Sequence, residues 1–144
     1  MTKGKSIKSD ESYILDLCDE VLGLTAVRQC RFDFLRGDPG KRGICAKLPI
    51  DACYEELKLA IEYRERQHSE SVAIFDKRKT VSGVSRGEQR ARYDQRRRDE
   101  LPKHGIKLVE LSYDNFQCDT RKRLIRDRPR DKQVIRDKLK KWIH

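Results

Sequence analysis

The sequence predicts an α/β domain with a mixed central sheet flanked by helices. Three observations carry that expectation. Residues 28–35, 44–53 and 58–64 are short apolar or alternating segments separated by turn residues, as expected of successive strands. Helical periodicity marks both ends of the chain, and a charge-rich, helix-favouring stretch separates the third strand from a fourth. At 144 residues with no internal repeat, the chain has the length for one core and shows no second boundary.

Residues 1–10 read as a disordered basic tail, and residues 11–144 as a single domain. From Ser12 onward, Tyr13, Ile14, Leu17, Cys18, Val21 and Leu22 recur at helical spacing, with Asp10 or Ser12 as N-cap and Gly23 as stop. Residues 28–35 set Cys30, Phe32 and Phe34 against polar neighbours, the alternation of a half-buried strand. Residues 37–43 hold three glycines and a proline, which makes a turn-rich connector. A second strand over 44–53 and a third over 58–64 follow, joined near Glu55-Glu56. Residues 67–87 lack a period and suggest a mobile basic loop. A helix over 88–103 is expected to stop or kink before Pro102. Residues 106–111 form the fourth strand, a basic stretch runs to Arg130, and a last helix places Ile135, Leu139, Trp142 and Ile143 on one docking face.

Charge narrows the partner class. Charged residues make up 40% and apolar ones 36%, and 34 Lys+Arg against 24 Asp+Glu give a net charge of +10. Such an excess suits a polyanion, nucleic acid above all. No apolar run approaches the roughly 20 residues of a membrane span, and the polar N-terminus lacks a signal-peptide core. A cytoplasmic protein without membrane association is therefore expected. The five cysteines, Cys18, Cys30, Cys45, Cys53 and Cys118, are odd in number and show no CxxC pair, so reduced thiols are expected rather than a zinc site.

The chemistry concentrates between Leu48 and His68. Asp51 follows Pro49-Ile50 on the second strand, and Glu62 closes the apolar run of the third. A turn near Glu55-Glu56 brings the two carboxylates across from one another. Alternate strand residues share a face, so Glu62 and Arg64 point with Ala60, and Leu59, Ile61 and Tyr63 point to the packed side. Two carboxylates of this kind are the usual protein share of a Mg²⁺ site, the rest coming from water and substrate phosphate. Any single carboxylate reads equally as half of a surface salt bridge. Gln67 and His68 come next, where a histidine near an activated water serves as general base or holds a phosphate, or is a solvated loop residue. Arg64 stands where a cation would clamp the phosphate, or pairs with Glu62 or Glu65.

Arg86, Arg90, Arg92, Arg96, Arg97 and Arg98 give the helix after the loop a surface suited to phosphate contacts. Glu88, Asp94, Asp99 and Glu100 are interleaved with them, so some of these arginines pair within the chain.

The segment PIDACYEELKLAIEYRERQH, with YDQRRRDELPKHGIKLVELSYDNF downstream, resembles the very-short-patch-repair-like branch of the PD-(D/E)xK endonuclease superfamily. The resemblance covers residues 10–116 and is anchored by Asp51, Ile61-Glu62, Gln67-His68 and Gly105-Ile106. It implies a restriction-endonuclease-like sheet and a metal-dependent DNA endonuclease. Mg²⁺, or Mn²⁺ in its place, would sit on Asp51 and Glu62, with Gln67 or His68 completing the site. It also implies that Glu20 of the first helix adds to the metal ligands. DNA is the implied partner, with a homodimer admitted. The chain departs from the pattern in carrying Tyr63-Arg64-Glu65-Arg66 after the glutamate, with arginine in the lysine position, and in a long insertion over 69–87. Two other functions fit the composition: a non-catalytic nucleic-acid-binding module on the same fold, and an interaction subunit docking through the Trp142 helix.

Overall fold

Ser9 starts the first helix: its hydroxyl accepts the Ser12 N–H at 3.1 Å, and α1 (Asp10–Leu22) follows. The cap thus falls one residue before the expected Asp10, and the ordered chain reaches back into the segment expected as tail. The computed structural model describes residues 8–65 and 83–143. Gly23, at φ 68°, ends α1 by donating its N–H to the Asp19 carbonyl, the left-handed stop that glycine adopts without steric cost.

Three strands come next, β1 (Val27–Pro39), β2 (Cys45–Tyr54) and β3 (Leu59–Arg64), with a single 3-10 turn over Glu55–Leu57 between the last two. Pro102 does not shorten α2 (Arg86–Lys103), which runs through it before β4 (Lys107–Ser112); α3 (Arg128–Leu139) closes the chain. At the last turn a missing N–H and a crowded carbonyl disturb little helix beyond them. β1 extends four residues past the expected end at Leu35, accommodated by register shifts either side of Arg36. The last helix stops at Leu139, and Lys140–Trp142 tightens into a 3-10 turn that keeps Trp142 against the core.

The four strands lie in sequence order in one mixed sheet. β1, β2 and β3 are antiparallel neighbours, and β4 pairs parallel to β3 from Leu59↔Lys107 to Arg64↔Ser112. A parallel neighbour needs a long crossover, and the stretch carrying α2 supplies it. One sheet face packs on α1 and α3 through Ile14, Leu17, Ile61, Leu111, Ile135 and Leu139, all without exposed surface. The other gathers Leu35, Ile50, Ala60 and Leu101 beneath α2. Burying each such Leu or Ile contributes about 1.5–3 kcal/mol. Gly37 allows α2 to approach β1 closely, since a Cβ there would lie 2.7 Å from the Tyr93 hydroxyl oxygen. That oxygen accepts the Asp38 N–H at 2.8 Å.

The alternation of β2 breaks at Asp51. Leu48 and Ile50 face α2, whereas Ala52 and Tyr54 face α1 and α3, although strict alternation would put all four on one side. Directly across, Gln29 of β1 has a φ of 52°, between the pairs Arg28↔Ala52 and Cys30↔Ile50. The two strands change face together, and Asp51 sits at the change.

All five cysteines are free thiols. Among the described residues no helix is long and apolar enough to cross a membrane.

Candidate active site

The ladder between β2 and β3 runs through Tyr54↔Leu59, Cys53↔Ala60 and Ala52↔Ile61 and ends there. At the next step side chains take over from the backbone. The Asp51 N–H donates to Glu62 Oε2 at 2.8 Å, and the Tyr63 N–H donates to Asp51 Oδ2 at 2.8 Å. Each carboxylate satisfies a strand N–H that the parting ladder would otherwise leave orphaned, which fixes both side chains at the point of separation.

These two groups line a polar pocket of about 140 Å³ with Glu11, Glu65 and Asp94, and with Arg64 and Arg97 as its cations. Glu11 comes from the first turn of α1. Its carboxyl is pushed up to about 7 by burial and then by the charges of Asp51 and Glu65. Glu62 has only 6% of its surface exposed. Burial first, then the nearby Asp51 charge, raises it to about 8, against the pull of Arg97 and Arg64. Carboxyls crowded and desolvated in this way retain protons until a cation replaces them.

The expected face assignment of β3 holds, but the face carrying Glu62 is covered by α2. Arg97 reaches down from that helix, its Nε 3.4 Å from Glu62 Oε1 and donating to the Pro49 carbonyl at 3.1 Å, and its Nη1 bonds Asp94 at 3.1 Å. Arg64 lies under the same helix. Its Nη1 stands 2.6 Å from Asp94 Oδ2 and its Nη2 2.5 Å from Glu110 Oε1. Among the described residues Arg64 forms ion pairs with Asp94 and Glu110, where Glu62 or Glu65 was expected.

Glu20 does not join the pocket. It is exposed near the other end of α1, where its oxygens accept from Arg128 at 2.5 and 2.7 Å and Lys132 lies 3.4 Å away. Glu11 occupies the place expected of it. The sequence carried a signal for this: Glu11 leads the stripe Ile14, Leu15 and Cys18 at i+3, i+4 and i+7, all buried, so it had to point toward the sheet. Asp94 and the inward course of Arg97 had no comparable signal in a helix so uniformly charged. Gln67 and His68 lie outside the described residues.

The arginines of α2 divide by function. Arg97 belongs to the pocket, and Arg98 bonds both oxygens of Glu110, at 2.8 and 2.9 Å. Arg96 donates to the Arg36 carbonyl at 2.9 Å and to Asp38 at 3.1 Å, tying α2 to β1. These three are engaged within the fold, as the interleaved acids led one to expect of some of these arginines. Arg86 and Arg92 are exposed, and Arg90 is half-buried.

Among the described residues no group of three or more His, Cys, Asp or Glu stands assembled for a metal ion. The pocket's donors are nevertheless all oxygen, the chemistry that hard cations take, and Mg²⁺ commonly uses only one or two protein carboxylates. The raised Glu11 and Glu62 are a second mark of fit, since an added cation would relieve the repulsion that holds protons on them.

Comparison of the chain with family models, with curated proteins and with solved structures finds no match.

Proposed function

We propose that this protein is a metal-dependent DNA endonuclease of the PD-(D/E)xK type, hydrolysing phosphodiester bonds with Mg²⁺ or Mn²⁺ held by Asp51 and Glu62. The observation that carries the reading is the reciprocal locking of these two carboxylates where β2 and β3 part, inside a polar pocket that Glu11 enters from α1. The order of helix, three antiparallel strands, helix and parallel strand supports a restriction-endonuclease-like sheet.

The chain's own contribution is positioning. The backbone N–H groups of Asp51 and Tyr63 orient the two carboxylates by bonding Glu62 Oε2 and Asp51 Oδ2. Glu11 and Glu62, whose carboxyls are raised, would hold a cation only after releasing their protons to solvent. Arg97, beside Glu62 and bonded to Asp94 and the Pro49 carbonyl, holds the acidic wall of the pocket in place. Arg64 serves as the brace that holds Asp94 and Glu110 under α2, so it positions the site and stays off the substrate. When bound, the cation supplies an activated water and offsets the charge that builds on the phosphate.

The test is a plasmid nicking assay with Mg²⁺, Mn²⁺ and EDTA on wild type and Asp51→Asn. Metal-dependent nicking by wild type alone is the expected result. No nicking by wild type under any metal retires the reading. One observation favours the alternative of a non-catalytic nucleic-acid-binding module: the guanidinium in the lysine position is spent on Asp94 and Glu110. DNA binding by wild type with no nicking under any metal would select that alternative.

A further inference from the structure

Beyond β4 the chain makes a small hairpin that the sequence shows only as part of a basic stretch. Cys118 and Leu124 bridge antiparallel, and the Ile125 N–H donates to the Gln117 carbonyl at 2.8 Å. Inside the turn, Asp119 Oδ1 accepts the Arg121 N–H at 2.8 Å and the Arg123 N–H at 2.9 Å. Lys122 takes the left-handed conformation at φ 65°. A carboxylate that organises two consecutive turns of backbone holds the tip in one shape. Arg121, Lys122 and Arg123 are exposed on that tip. Arg123 is paired to Asp119 at 3.0 Å, whereas neither Arg121 nor Lys122 has an ion-pair partner among the described residues.

The tip lies beside the candidate active site. Its three cations line a cleft of about 310 Å³ together with Tyr63, Glu65 and Asp10, and Tyr63 and Glu65 also line the carboxylate pocket. Asp10 is engaged by Arg126 at 2.8 Å. A polyanion entering the carboxylate pocket meets like charge there, so its affinity must come from cations alongside. The helix arginines nearest the pocket are committed to Asp38, Asp94 and Glu110.

We propose that the Arg121-Lys122 tip is a phosphate-contact element that grips the backbone of duplex DNA on the side of the cleft facing away from α2. The choice of duplex DNA rests on the endonuclease reading, while the cleft and its free cations stand on the geometry of the hairpin. Arg121 and Lys122 are thus positioning residues outside the stretch to which the family resemblance extends.

The experiment measures binding of a labelled 20-base-pair duplex by anisotropy in EDTA across a salt series. It compares wild type with Arg121→Gln/Lys122→Asn, asparagine being tolerant of the left-handed backbone. A charge-matched control, Lys138→Gln/Lys141→Gln, removes two exposed cations beside Trp142 at the far end of α3. Each lost phosphate contact lowers the log–log salt slope by about 0.9, so the tip variant should lose about 2 in slope and about tenfold or more in affinity at 0.1 M salt. The control should stay within about twofold of wild type. A tip variant with the wild-type slope, an equal loss in the control, or a loss confined to an RNA duplex of the same sequence overturns the proposal. Nicking is scored apart from binding. Tip-dependent binding without nicking would retire the nuclease reading and keep the tip, and nicking with tip-independent binding would do the reverse.

Discussion

Asp51 and Glu62 hold each other through the backbone: the Asp51 N–H donates to the Glu62 carboxylate, and the Asp51 carboxylate accepts from Tyr63, the residue after Glu62. Both side chains are therefore structural acceptors as well as candidate metal ligands. Truncation to alanine would confuse the two roles by leaving a half-buried N–H unpaired, at a cost of about 1–3 kcal/mol. The amide variants separate them, because Asn and Gln keep an accepting oxygen and lose only the charge. Asp51→Asn and Glu62→Gln should each abolish metal-dependent cleavage while circular dichroism and DNA affinity remain those of wild type. Glu62→Gln should also raise the melting temperature of the metal-free protein at pH 8, since it removes a buried charge held beside Asp51. Retained nicking in both variants would break the site assignment.

The metal-free protein should lose stability as pH rises from about 4.5 to about 8. The ordinary value of both Glu11 and Glu62 is 4.5, and in the folded chain they are raised to about 7 and about 8. Across that window the folded state binds more protons than the unfolded one, so the slope of stability against pH is negative. The contribution is complete below 4.5 and is lost as pH passes the folded values. Carboxylates held low, such as Glu110 by Arg98 and Arg64, act with the opposite sign and only below this window. Urea midpoints at pH 5.5, 7 and 8.5 read the slope. Glu11→Gln/Glu62→Gln should flatten it, and a rise in stability toward pH 8.5 would contradict it.

Arg64 tests the packing beneath α2. Its guanidinium is about one-tenth exposed and spans Asp94 and Glu110 at 2.6 and 2.5 Å, a fork that one ammonium cannot reproduce. Arg64→Ala leaves two carboxylates facing a buried gap and should cost about 3–5 kcal/mol in urea denaturation. Arg64→Lys should fall between that variant and wild type. A loss below about 1 kcal/mol in Arg64→Ala would show that Arg97 and Arg98 hold the two acids without it.

The strands, both terminal helices and the Asp51–Glu62 pairing were legible because each rests on a local period or a short hairpin. Apolar alternation sets which side of β3 is packed, and a 3-10 turn of three residues, Glu55–Leu57, fixes what lies opposite what. The face change at Gln29 and Asp51 was not legible, because it is a joint property of two strands and leaves no mark on the composition of either. Nor was the division of the α2 arginines. At near-uniform polarity a helix shows no inward stripe, so only the docked sheet decides that Arg97 turns in, that Arg98 meets Glu110 and that Arg92 stays out. Net charge thus pointed to a polyanion but carried no information on which cations the fold engages and which it leaves exposed.

Two glutamates of α1 lie in different surroundings. Glu11 lines the pocket together with Asp51, whereas Glu20 is bound to Arg128 and Lys132 on the surface. A third carboxylate beside Asp51 adds charge to a cation site, and affinity for a hard cation rises with the charge its ligands supply. Glu11→Gln should therefore raise the Mg²⁺ concentration needed for half-maximal nicking by about tenfold, with the limiting rate at saturating metal reduced less. Glu20→Gln should leave both quantities at their wild-type values and change only the docking of α3 on α1, seen as a lower urea midpoint. The Mg²⁺ titration decides between them. A shift in Glu20→Gln with none in Glu11→Gln would return the acidic role to the residue that the family resemblance had indicated, and would require α1 to bind the cation in a different rotation from the one described.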